Sequence, residues 1–478
     1  MPTLPRRWWA LIGVSLATFM TFLDNNVVNV ALPSIQRHLG LSISGLEWVV
    51  SSYILVFAGL MLAGGRLADL FGRRRMFLGG LGVFTLASLL AGLADSQTML
   101  IAARVLQGVG AAAAIPPTLA IISGLFPDDA ERTKAVGVWS AIGALALALG
   151  PFTGGVISQH VDWGWIFLIN VPFGLVTMAI TALTLDETRE RERRRLDLPG
   201  LVTSTVALFA VTYALIEGHD RGWTSTLILG CFALAAVALA AFVIVEMRTA
   251  DPMVDMSMFR NRIFSGGVVT MMLWGFGVMG IYFFTAMYMQ NVLGFSPTAA
   301  GAAFIPMAVS MVVISPIAPL ADRRLGTNIT VAIGVAGIVG ALLGIAMIGE
   351  HGHIIDLMPP FILFGLGSGL VMTPLNAAIM DRMPPAIAGA AGAVVNAARE
   401  ISALLGITIV GAILTTRSAS AAQHGAAPLH AFLDGYRLAI IVAGIIVAVG
   451  IPLALVTLRG GRAAAAATTA PEPVPATV

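Results

Sequence analysis

Long apolar segments recur from one end of the chain to the other, and they constrain its fold more than any other feature. Each is about twenty residues long, enough for a helix to cross roughly 30 Å of hydrocarbon. Because a bilayer interior holds no water, a spanning segment must satisfy its backbone hydrogen bonds as a helix or within a closed barrel. The segments are too long and too continuously apolar for barrel strands, which alternate. The sequence therefore predicts an all-α polytopic membrane protein.

The composition excludes a soluble globular protein. Hydrophobic residues make up 58% of the chain and charged residues 11%, whereas soluble domains carry about 25% charge. The single cysteine, Cys231, rules out an intrachain disulfide. The first apolar run contains Asp24 and lacks a small-residue cleavage site, so we interpret it as a retained helix and not as a signal peptide.

Fourteen membrane spans are predicted. They cover residues 8–31, 46–65, 76–94, 99–125, 135–157, 163–184, 199–217, 223–246, 264–290, 298–320, 328–348, 356–379, 388–415 and 435–458. An even number of spans places both termini on the same side of the membrane.

Basic residues set the orientation, because arginine and lysine accumulate in cytoplasmic loops. With a cytoplasmic N-terminus, most of the 27 basic residues lie inside, including the clusters at 73–75 and 191–195. The exceptions in outer segments or at span ends are Arg37, Arg221, Arg417 and Arg437. We therefore expect both termini in the cytoplasm and the protein in the cytoplasmic (inner) membrane. The richness in Ala, Gly and Arg, with one lysine, is typical of a GC-rich bacterial genome.

The chain carries an internal repeat with an offset of about 255 residues. Gly108, Gly110, Pro117 and Ala120 recur as Gly365, Gly367, Pro374 and Ala377, the segment 67–69 recurs at 320–322, and Gly150 recurs as Gly406. Each match lies in the corresponding span of a six-span half. Since six is even, the two halves have the same orientation, and in such proteins substrate binds between the halves near the midplane.

The repeat divides the chain into four parts. Residues 1–186 are predicted to form an N-terminal six-helix bundle, and residues 263–460 its C-terminal counterpart. Residues 187–262 hold two extra helices with cytoplasmic loops, which are expected at the periphery between the halves. Residues 461–478 are of low complexity and are predicted to be a disordered cytoplasmic tail.

Six segments of the chain resemble motifs of one family. They are "LDNNVVNVALP" (23–33), "GRLADLFGRRRMF" (65–77), "RVLQGVGAA" (104–112), "GPFTGG" (150–155), "WIFLINVPFG" (165–174) and "YMQNVLGFSPTAAG" (288–301). Together they resemble the major facilitator superfamily, and in particular its fourteen-span drug:proton antiporters. Two departures are Asn26, where that family usually has Thr, and Glu400, where it usually has Gln. The second adds an acid and leaves the proton stoichiometry open.

The loop after span two is a candidate conformational element. Gly65 and Gly72 permit tight turns or close approach of helices. Asp69 can pair with Arg73 or cap a helix N-terminus, and we expect a pair of this kind to latch the halves in one state. The alternative for the neighbouring arginines is that they only set topology and anchor lipid headgroups.

Span five is a second conformational element. Gly150, Gly154 and Gly155 let helices touch backbone to backbone, and Pro151 allows a bend. Ordinary tight packing explains these residues equally well, whereas the resemblance to the antiporter motif implies a role in export.

Charged groups inside membrane spans are costly and usually functional. Four ionisable residues are predicted to lie deep: Asp24, Arg104, Arg399 and Glu400. Asp24 and Arg104 lie about 10 Å and 8 Å from the outer ends of their spans, so the two can meet. Burial and a nearby arginine act in opposite directions on the proton affinity of a carboxyl group. We therefore predict proton coupling at Asp24 with Arg104, and Glu400 as a second candidate; a static buried ion pair is the alternative.

Polar residues near these charges are candidates for the substrate cavity. They are Asn25, Asn29, Tyr288, Gln290, Asn396 and Arg399. Spans nine and ten are also rich in methionine and aromatic residues. Methionine repacks easily and recurs at promiscuous binding surfaces, so these spans suit a cavity that tolerates many apolar shapes.

The sequence and the resemblance predict a proton-coupled exporter of lipophilic, often cationic drugs or antibiotics. Its expected partners are small-molecule substrates, protons and the lipid bilayer; we expect no nucleic acid, no cofactor besides the proton gradient, and function as a monomer. A narrow exporter or importer of one natural metabolite is the alternative. A membrane enzyme is disfavoured because the sequence has no nucleotide-binding loop, H-E-x-x-H motif or nucleophile elbow.

Overall fold

The protein is helical throughout the part that its structure, a computed structural model, describes. That part comprises residues 5–188, 197–383 and 388–459 and contains no strand. Fourteen of its helices are long and apolar enough to cross a membrane, which confirms the predicted number of spans and the all-α class. The predicted basic loop at 191–195 and the tail at 461–478 lie outside the described residues.

The fourteen helices are numbered in chain order. They are α1 (Arg6–Leu39), α2 (Ile43–Phe71), α3 (Arg73–Gly92), α4 (Gln97–Leu125), α5 (Asp129–His160), α6 (Trp165–Thr184), α7 (Leu198–Arg221), α8 (Thr226–Arg248), α9 (Arg262–Asn291), α10 (Pro297–Ile314), α11 (Thr327–Met347), α12 (Ile354–Met380), α13 (Ala390–Gln423) and α14 (Pro428–Thr457). A short helix, Ala318–Leu325, follows α10. Residues Ile281–Thr285 form a π-helical turn inside α9.

Local sequence explains where several helices begin and end. Gly40 ends α1 in a left-handed conformation, with φ of 64°, which glycine adopts without steric cost. The Ser42 hydroxyl then accepts a hydrogen bond from the backbone N–H of Gly45 and caps α2. Asp128 caps α5 in the same way. The turn between α1 and α2 is therefore short, and the two helices run in opposite directions.

The same pairs of helices pack together in two groups, as a parallel repeat requires. In the N-terminal half (α1–α6), α1 packs against α5 and α6, while α4 packs against α2 and α3. In the C-terminal half (α9–α14), α9 packs against α13 and α14, while α12 packs against α10 and α11. Adding eight to each helix number in the first group gives the second, so each half is one copy of the same bundle.

The repeated glycines lie at equivalent helix contacts. A Cβ atom on Gly110 of α4 would be 2.7 Å from the carbonyl oxygen of Gly80 in α3. One on Gly367 of α12 would be 2.5 Å from the carbonyl oxygen of Gly334 in α11. A side chain at either position would push two helices apart, so the repeat in the sequence records close helix packing.

The two extra helices lie against the outside of both halves. Helix α7 packs against α2 and α13, one helix from each half, and α8 packs against α7. Trp48 of α2 donates a hydrogen bond of 2.9 Å to Glu217 of α7, and Trp223 donates one of 3.2 Å to Thr416 of α13. These contacts place α7 across the interface between the two halves.

Two hydrogen bonds join the two halves near the C-terminal ends of α1, α5 and α9. The side-chain amide of Gln290 in α9 donates a hydrogen bond of 2.8 Å to the Val30 carbonyl in α1. The backbone N–H of Thr298 in α10 donates one of 3.0 Å to Gln159 in α5. The described halves are thus joined on that side of the membrane.

Two adjacent glycines of α3 test this packing. A Cβ atom on Gly80 would lie 2.7 Å from both the Gly110 carbonyl oxygen and the Ala114 nitrogen, whereas one on Gly79 meets nothing within 4 Å. Gly80→Ala should therefore destabilise the protein by about 1–3 kcal/mol through overpacking. Gly79→Ala should be neutral or stabilise it by about 0.5–1 kcal/mol, because alanine favours helices. Thermal unfolding in detergent measures both; equal effects of the two substitutions would contradict the close packing of α3 on α4.

Candidate functional site

Asp24 lies in α1 at the centre of a buried hydrogen-bond network, and the residue is 1% exposed. Its Oδ2 atom accepts a hydrogen bond of 2.5 Å from Arg104 in α4. Its Oδ1 atom accepts bonds from Gln107 of α4, at 3.1 Å, and from Asn170 of α6, at 2.8 Å. The depth argument from the sequence predicted that Asp24 and Arg104 can meet, and the structure brings them into contact. Three donors hold the carboxylate in place.

Arg104 is the largest fully buried side chain of the described residues. Besides Asp24, it donates 3.0 Å and 2.9 Å hydrogen bonds to the Val49 carbonyl of α2 and to Gln107. Its guanidinium lies over the Tyr53 ring of α2, 4.3 Å from the ring centroid. One terminal nitrogen, NH2, has no hydrogen-bond partner. The arginine is therefore fixed by α2 and α4, and α1 brings the acid to it.

Four residues of this site were not predicted as site residues. Gln107 and Asn170 bond to Asp24, Gln107 also donates to Ser88 of α3 at 2.8 Å, and Tyr53 faces Arg104. Gln107 is one helical turn beyond Arg104 in "RVLQGVGAA", and Asn170 is the polar residue of "WIFLINVPFG". A polar residue inside an apolar motif is the signal that identifies both of them.

The three asparagines of α1 have hydrogen-bonding groups that remain unpaired. The side-chain amides of Asn26 and Asn29 donate to backbone carbonyls four residues earlier, those of Phe22 and Asn25. The side-chain oxygens of Asn25, Asn26 and Asn29 are buried and have no hydrogen-bond partner. Unpaired buried acceptors are costly, and a ligand that donates hydrogen bonds would satisfy them. This fits the predicted place of Asn25 and Asn29 in a substrate site.

Glu400 and Arg399 pair with each other in α13. The Arg399 guanidinium donates a hydrogen bond of 2.9 Å to the Glu400 carboxylate, whose residue is 7% exposed. Asn396, one turn earlier, is half-buried and is not the hydrogen-bond partner of Glu400 in the described structure. Tyr53 lies within electrostatic reach of Asp24, Arg104 and Glu400. The structure therefore places the second acid across the interface from the Asp24 network.

The two predicted cavity residues at the end of α9 are occupied by contacts within the protein. The Tyr288 hydroxyl donates to the Gly349 carbonyl at 2.6 Å, and its ring stacks on Tyr436, with centroids 4.7 Å apart. Gln290 bonds to α1 across the interface between the halves, as described above. In this conformation Tyr288 stabilises the C-terminal half, and Gln290 joins the two halves.

The count of four deep ionisable residues omitted Glu47. This residue of α2 is 2% exposed, although it is only the second residue of the predicted span 46–65. Burial at this position comes from α13 of the other half, whose Gly411 lies directly against the carboxyl group. A contact between distant segments of this kind leaves no mark in the local sequence.

The loop between α2 and α3 forms an ion pair within the N-terminal half. The Arg73 guanidinium donates hydrogen bonds of 2.9 Å and 3.1 Å to Asp69. Gly72 has φ of 110°, a region that side-chain-bearing residues rarely adopt. Gly65 has room for a Cβ atom in ordinary contact with Pro116, at 3.6 Å. The Asp69–Arg73 pair joins neighbouring helices of one half, and a latch between the halves stays a prediction.

The glycines of α5 lie on two faces of that helix. A Cβ atom on Gly150 would be 2.6 Å from the Cβ atom of Asn26, and Gly154 lies similarly close to Val27, both in α1. Gly155 lies against the backbone of Pro297 in α10. The carbonyl group of Pro151 lies against Gly301, also in α10. Helix α5 therefore packs closely on its own half through one face and on the other half through the second.

The family model of the Major Facilitator Superfamily matches residues 14–407. The chain belongs to the Major Facilitator Superfamily. This confirms the resemblance seen in the six motifs. The superfamily assignment also agrees with the two equivalent halves and with a buried charged site between spans. No group of three or more His, Cys, Asp or Glu side chains within the described ranges is placed to hold a metal ion.

Several curated members of the superfamily are similar to this chain. The puromycin resistance protein pur8 of Streptomyces alboniger is 37% identical over 91% of this chain and 88% of its own length. The multidrug resistance protein Stp of Mycobacterium tuberculosis is 36% identical over 84% of this chain and 75% of its own. The cephamycin export protein CmcT of Amycolatopsis lactamdurans is 37% identical over 84% of each chain.

Solved structures of the superfamily share the fold. A bacterial homologue of the human lysosomal transporter Spinster, in an inward-facing and unoccupied conformation, superposes with a TM-score of 0.67 at 15% identity, over 96% of this chain and 98% of that one. An autoinhibited peptide transporter of the POT family gives 0.69 at 15% identity, over 94% and 97%.

The buried pair can be tested through stability. Arg104→Met leaves the Asp24 carboxylate buried without its counter-ion and should cost about 3–5 kcal/mol. The double variant Asp24→Asn with Arg104→Met removes both charges and should recover a large part of that loss. Thermal unfolding in detergent measures both variants. If the double variant is no more stable than Arg104→Met, the loss arises from packing of the arginine and not from an unpaired charge.

Proposed function

We propose that this protein exports lipophilic, often cationic compounds in exchange for protons, by alternating access between its two halves. The observation that carries the proposal is the buried Asp24 network, next to the interface between the halves. Superfamily membership supports a transporter and not an enzyme.

The relatives support the class of substrate. Their names refer to resistance to puromycin, to multidrug resistance and to export of cephamycin. The compounds in those names differ from one relative to the next, while the overall sequence is retained at 36–37% identity over most of the chain. We therefore propose antibiotics or other drugs as substrates, and a monomer as the transporting unit.

The Asp24 network supports proton coupling by its construction. The Asp24 carboxyl group accepts three hydrogen bonds, and one of them comes from the always-charged Arg104. A proton on Asp24 would remove the negative charge that pairs with Arg104, and a buried guanidinium without its counter-ion is costly, so protonation would weaken the contact of α1 with α4. Helix α1 carries Asp24 and also contacts α9 of the other half. A movement of the halves would shift α1 relative to α4 and change the affinity of Asp24 for a proton.

Glu400 supplies a second proton site in this proposal. It pairs with Arg399 in the C-terminal half and faces the N-terminal half through Tyr53. Two acids on opposite sides of the interface would allow one to bind a proton or a cationic substrate while the other stays paired. A count of protons per exported molecule above one would support this role.

The charge distribution supports the orientation. Most arginines lie on the side on which α1 begins, which supports a bacterial inner membrane as the location, with both termini on its cytoplasmic side. With that orientation, the contacts of Gln290 and Thr298 between the halves lie toward the outer surface. The structure then corresponds to a state closed to the outside.

Asp24→Asn tests proton coupling. Asparagine keeps the shape and part of the hydrogen bonding but does not titrate. Binding of a neutral substrate should survive, while efflux driven by a pH gradient in proteoliposomes should fall to the level of empty liposomes. Asp95→Asn, at an exposed acid between α3 and α4, is the matched control and should transport normally. Full gradient-driven efflux by a well-folded Asp24→Asn protein would leave Glu400 as the coupling acid.

Competition measures the breadth of the substrate site. The methionines and aromatic residues of α9 are packed in the interior, and if they border an adaptable cavity, chemically unrelated lipophilic compounds should compete for one site. We expect each of several antibiotics and dyes to inhibit efflux of a fluorescent substrate from cells that express the protein. Inhibition by one compound only would instead support the narrow metabolite exporter.

A further inference from the structure

Glu47 is a buried acid that the proposed function does not use. It is the fifth residue of α2, and it is 2% exposed. Its Oε1 atom is buried and has no hydrogen-bond partner. Asp24, by contrast, has three donors at 2.5–3.1 Å. The two buried acids of the N-terminal half therefore lie in opposite chemical surroundings.

The Glu47 carboxyl group fills a gap in the other half of the protein. Gly411 of α13 lies so close that a Cβ atom there would overlap both Glu47 carboxylate oxygens. Helices α2 and α13 belong to different halves, and they pack against each other in this conformation. The missing side chain of Gly411 thus creates the space that the carboxyl group occupies when the halves are in contact.

The charged groups around Glu47 include no counter-ion within the described structure. On α7, Asp220 is close enough to act on it electrostatically and has the same sign of charge, while Glu217 and Arg221 pair with each other at 2.9 Å. On α13, Arg417 is exposed, and α4 presents the neutral Gln97 beside Gly45. No ion pair joins Glu47 to any of these groups.

A buried carboxylate without a counter-ion or hydrogen-bond donor costs several kcal/mol, whereas the neutral acid costs much less. Separation of α2 from α13 would expose Glu47 to water, where the ionised form is stable. The neutral form therefore favours contact between the halves, and the ionised form favours their separation.

We propose that Glu47 is a further proton-binding site, whose protonation holds the halves together at the contact of α2 with α13. The proposal rests on the alternation between two conformations that the proposed function assumes, but not on the substrate or on Asp24. The proton is taken up from water as the contact closes and is released to water on the same side as it opens. Over the range in which Glu47 titrates, the ratio of closed to separated molecules should fall by up to about tenfold per pH unit.

Distance measurements between the halves test this without substrate or gradient. Spin labels are attached to cysteines at two exposed positions, Asp95 beside α4 and Gln423 at the end of α13, with Cys231→Ser as background. Double electron–electron resonance in lipid nanodiscs then gives the distribution of distances across a pH series. In the wild-type background, the short distance should dominate at low pH and the long distance should gain as pH rises.

Variants assign the pH response. Glu47→Gln is permanently neutral and nearly isosteric, so the short distance should persist at every pH. Glu217→Gln, which removes an acid already paired with Arg221, should keep the wild-type response. A response that persists in Glu47→Gln, or that is absent from the wild-type background, overturns the proposal. A response lost in Asp24→Asn and kept in Glu47→Gln assigns it to Asp24 and also overturns it.

Gly411→Ala provides a second test that does not depend on Glu47 variants. The added methyl group takes the place of the carboxyl group, so the contact should weaken and the long distance should dominate at all pH values. An unchanged distance distribution would show that Glu47 and Gly411 do not control the contact. A protein that gives the expected distances but shows no proton-driven efflux would refute the proposed function and leave this inference standing.

Discussion

The ion pair between Asp24 and Arg104 organises the N-terminal half. Asp24 lies on α1, Arg104 and Gln107 on α4, and the surrounding bonds reach α2 through Val49, α3 through Ser88 and α6 through Asn170. Five of the six helices of this half thus share one buried polar network. Because each member holds another in place, a change in the charge of Asp24 alters the packing of the bundle as a whole. In the proposed mechanism, this network would link a proton on Asp24 to a movement of helices.

The two halves share a fold but not this chemistry. At the offset of the repeated glycines, the position of Arg104 in α4 corresponds to Phe361 in α12. Phe361 is buried and stacks on Phe304 of α10, with ring centroids 5.0 Å apart. An aromatic contact therefore replaces the ion pair, and the C-terminal half keeps its shape without a buried charge at that place. Its own acid, Glu400, lies instead on α13, where it pairs with the adjacent Arg399.

The fold was predictable from the sequence because its signals are local. The number of membrane spans follows from the lengths of the apolar segments. The repeat follows from glycines such as Gly110 and Gly367, since a neighbouring helix packs too closely at these positions for any larger residue. The meeting of Asp24 and Arg104 was predictable because topology gives their depths. The burial of Glu47 was not predictable, since it depends on Gly411, which lies hundreds of residues away in the chain. The partners of Tyr288 were equally hidden, because Gly349, just after α11, and Tyr436 of α14 supply them.

The glycine contacts of α5 have a mechanical consequence. From residue 135 to 159 this helix contains no charged residue, and neither does α10 from Pro297 to Ile314. Their seam consists of backbone against backbone, with Gly155 beside Pro297 and Gly301 beside Pro151. Apart from the Gln159 side chain, which accepts a hydrogen bond from Thr298, these contacts involve no long side chain that must change rotamer and no ion that salt can screen. The energy barrier to sliding of α5 past α10 should therefore be nearly independent of ionic strength. It should depend instead on the lateral pressure of the surrounding lipid.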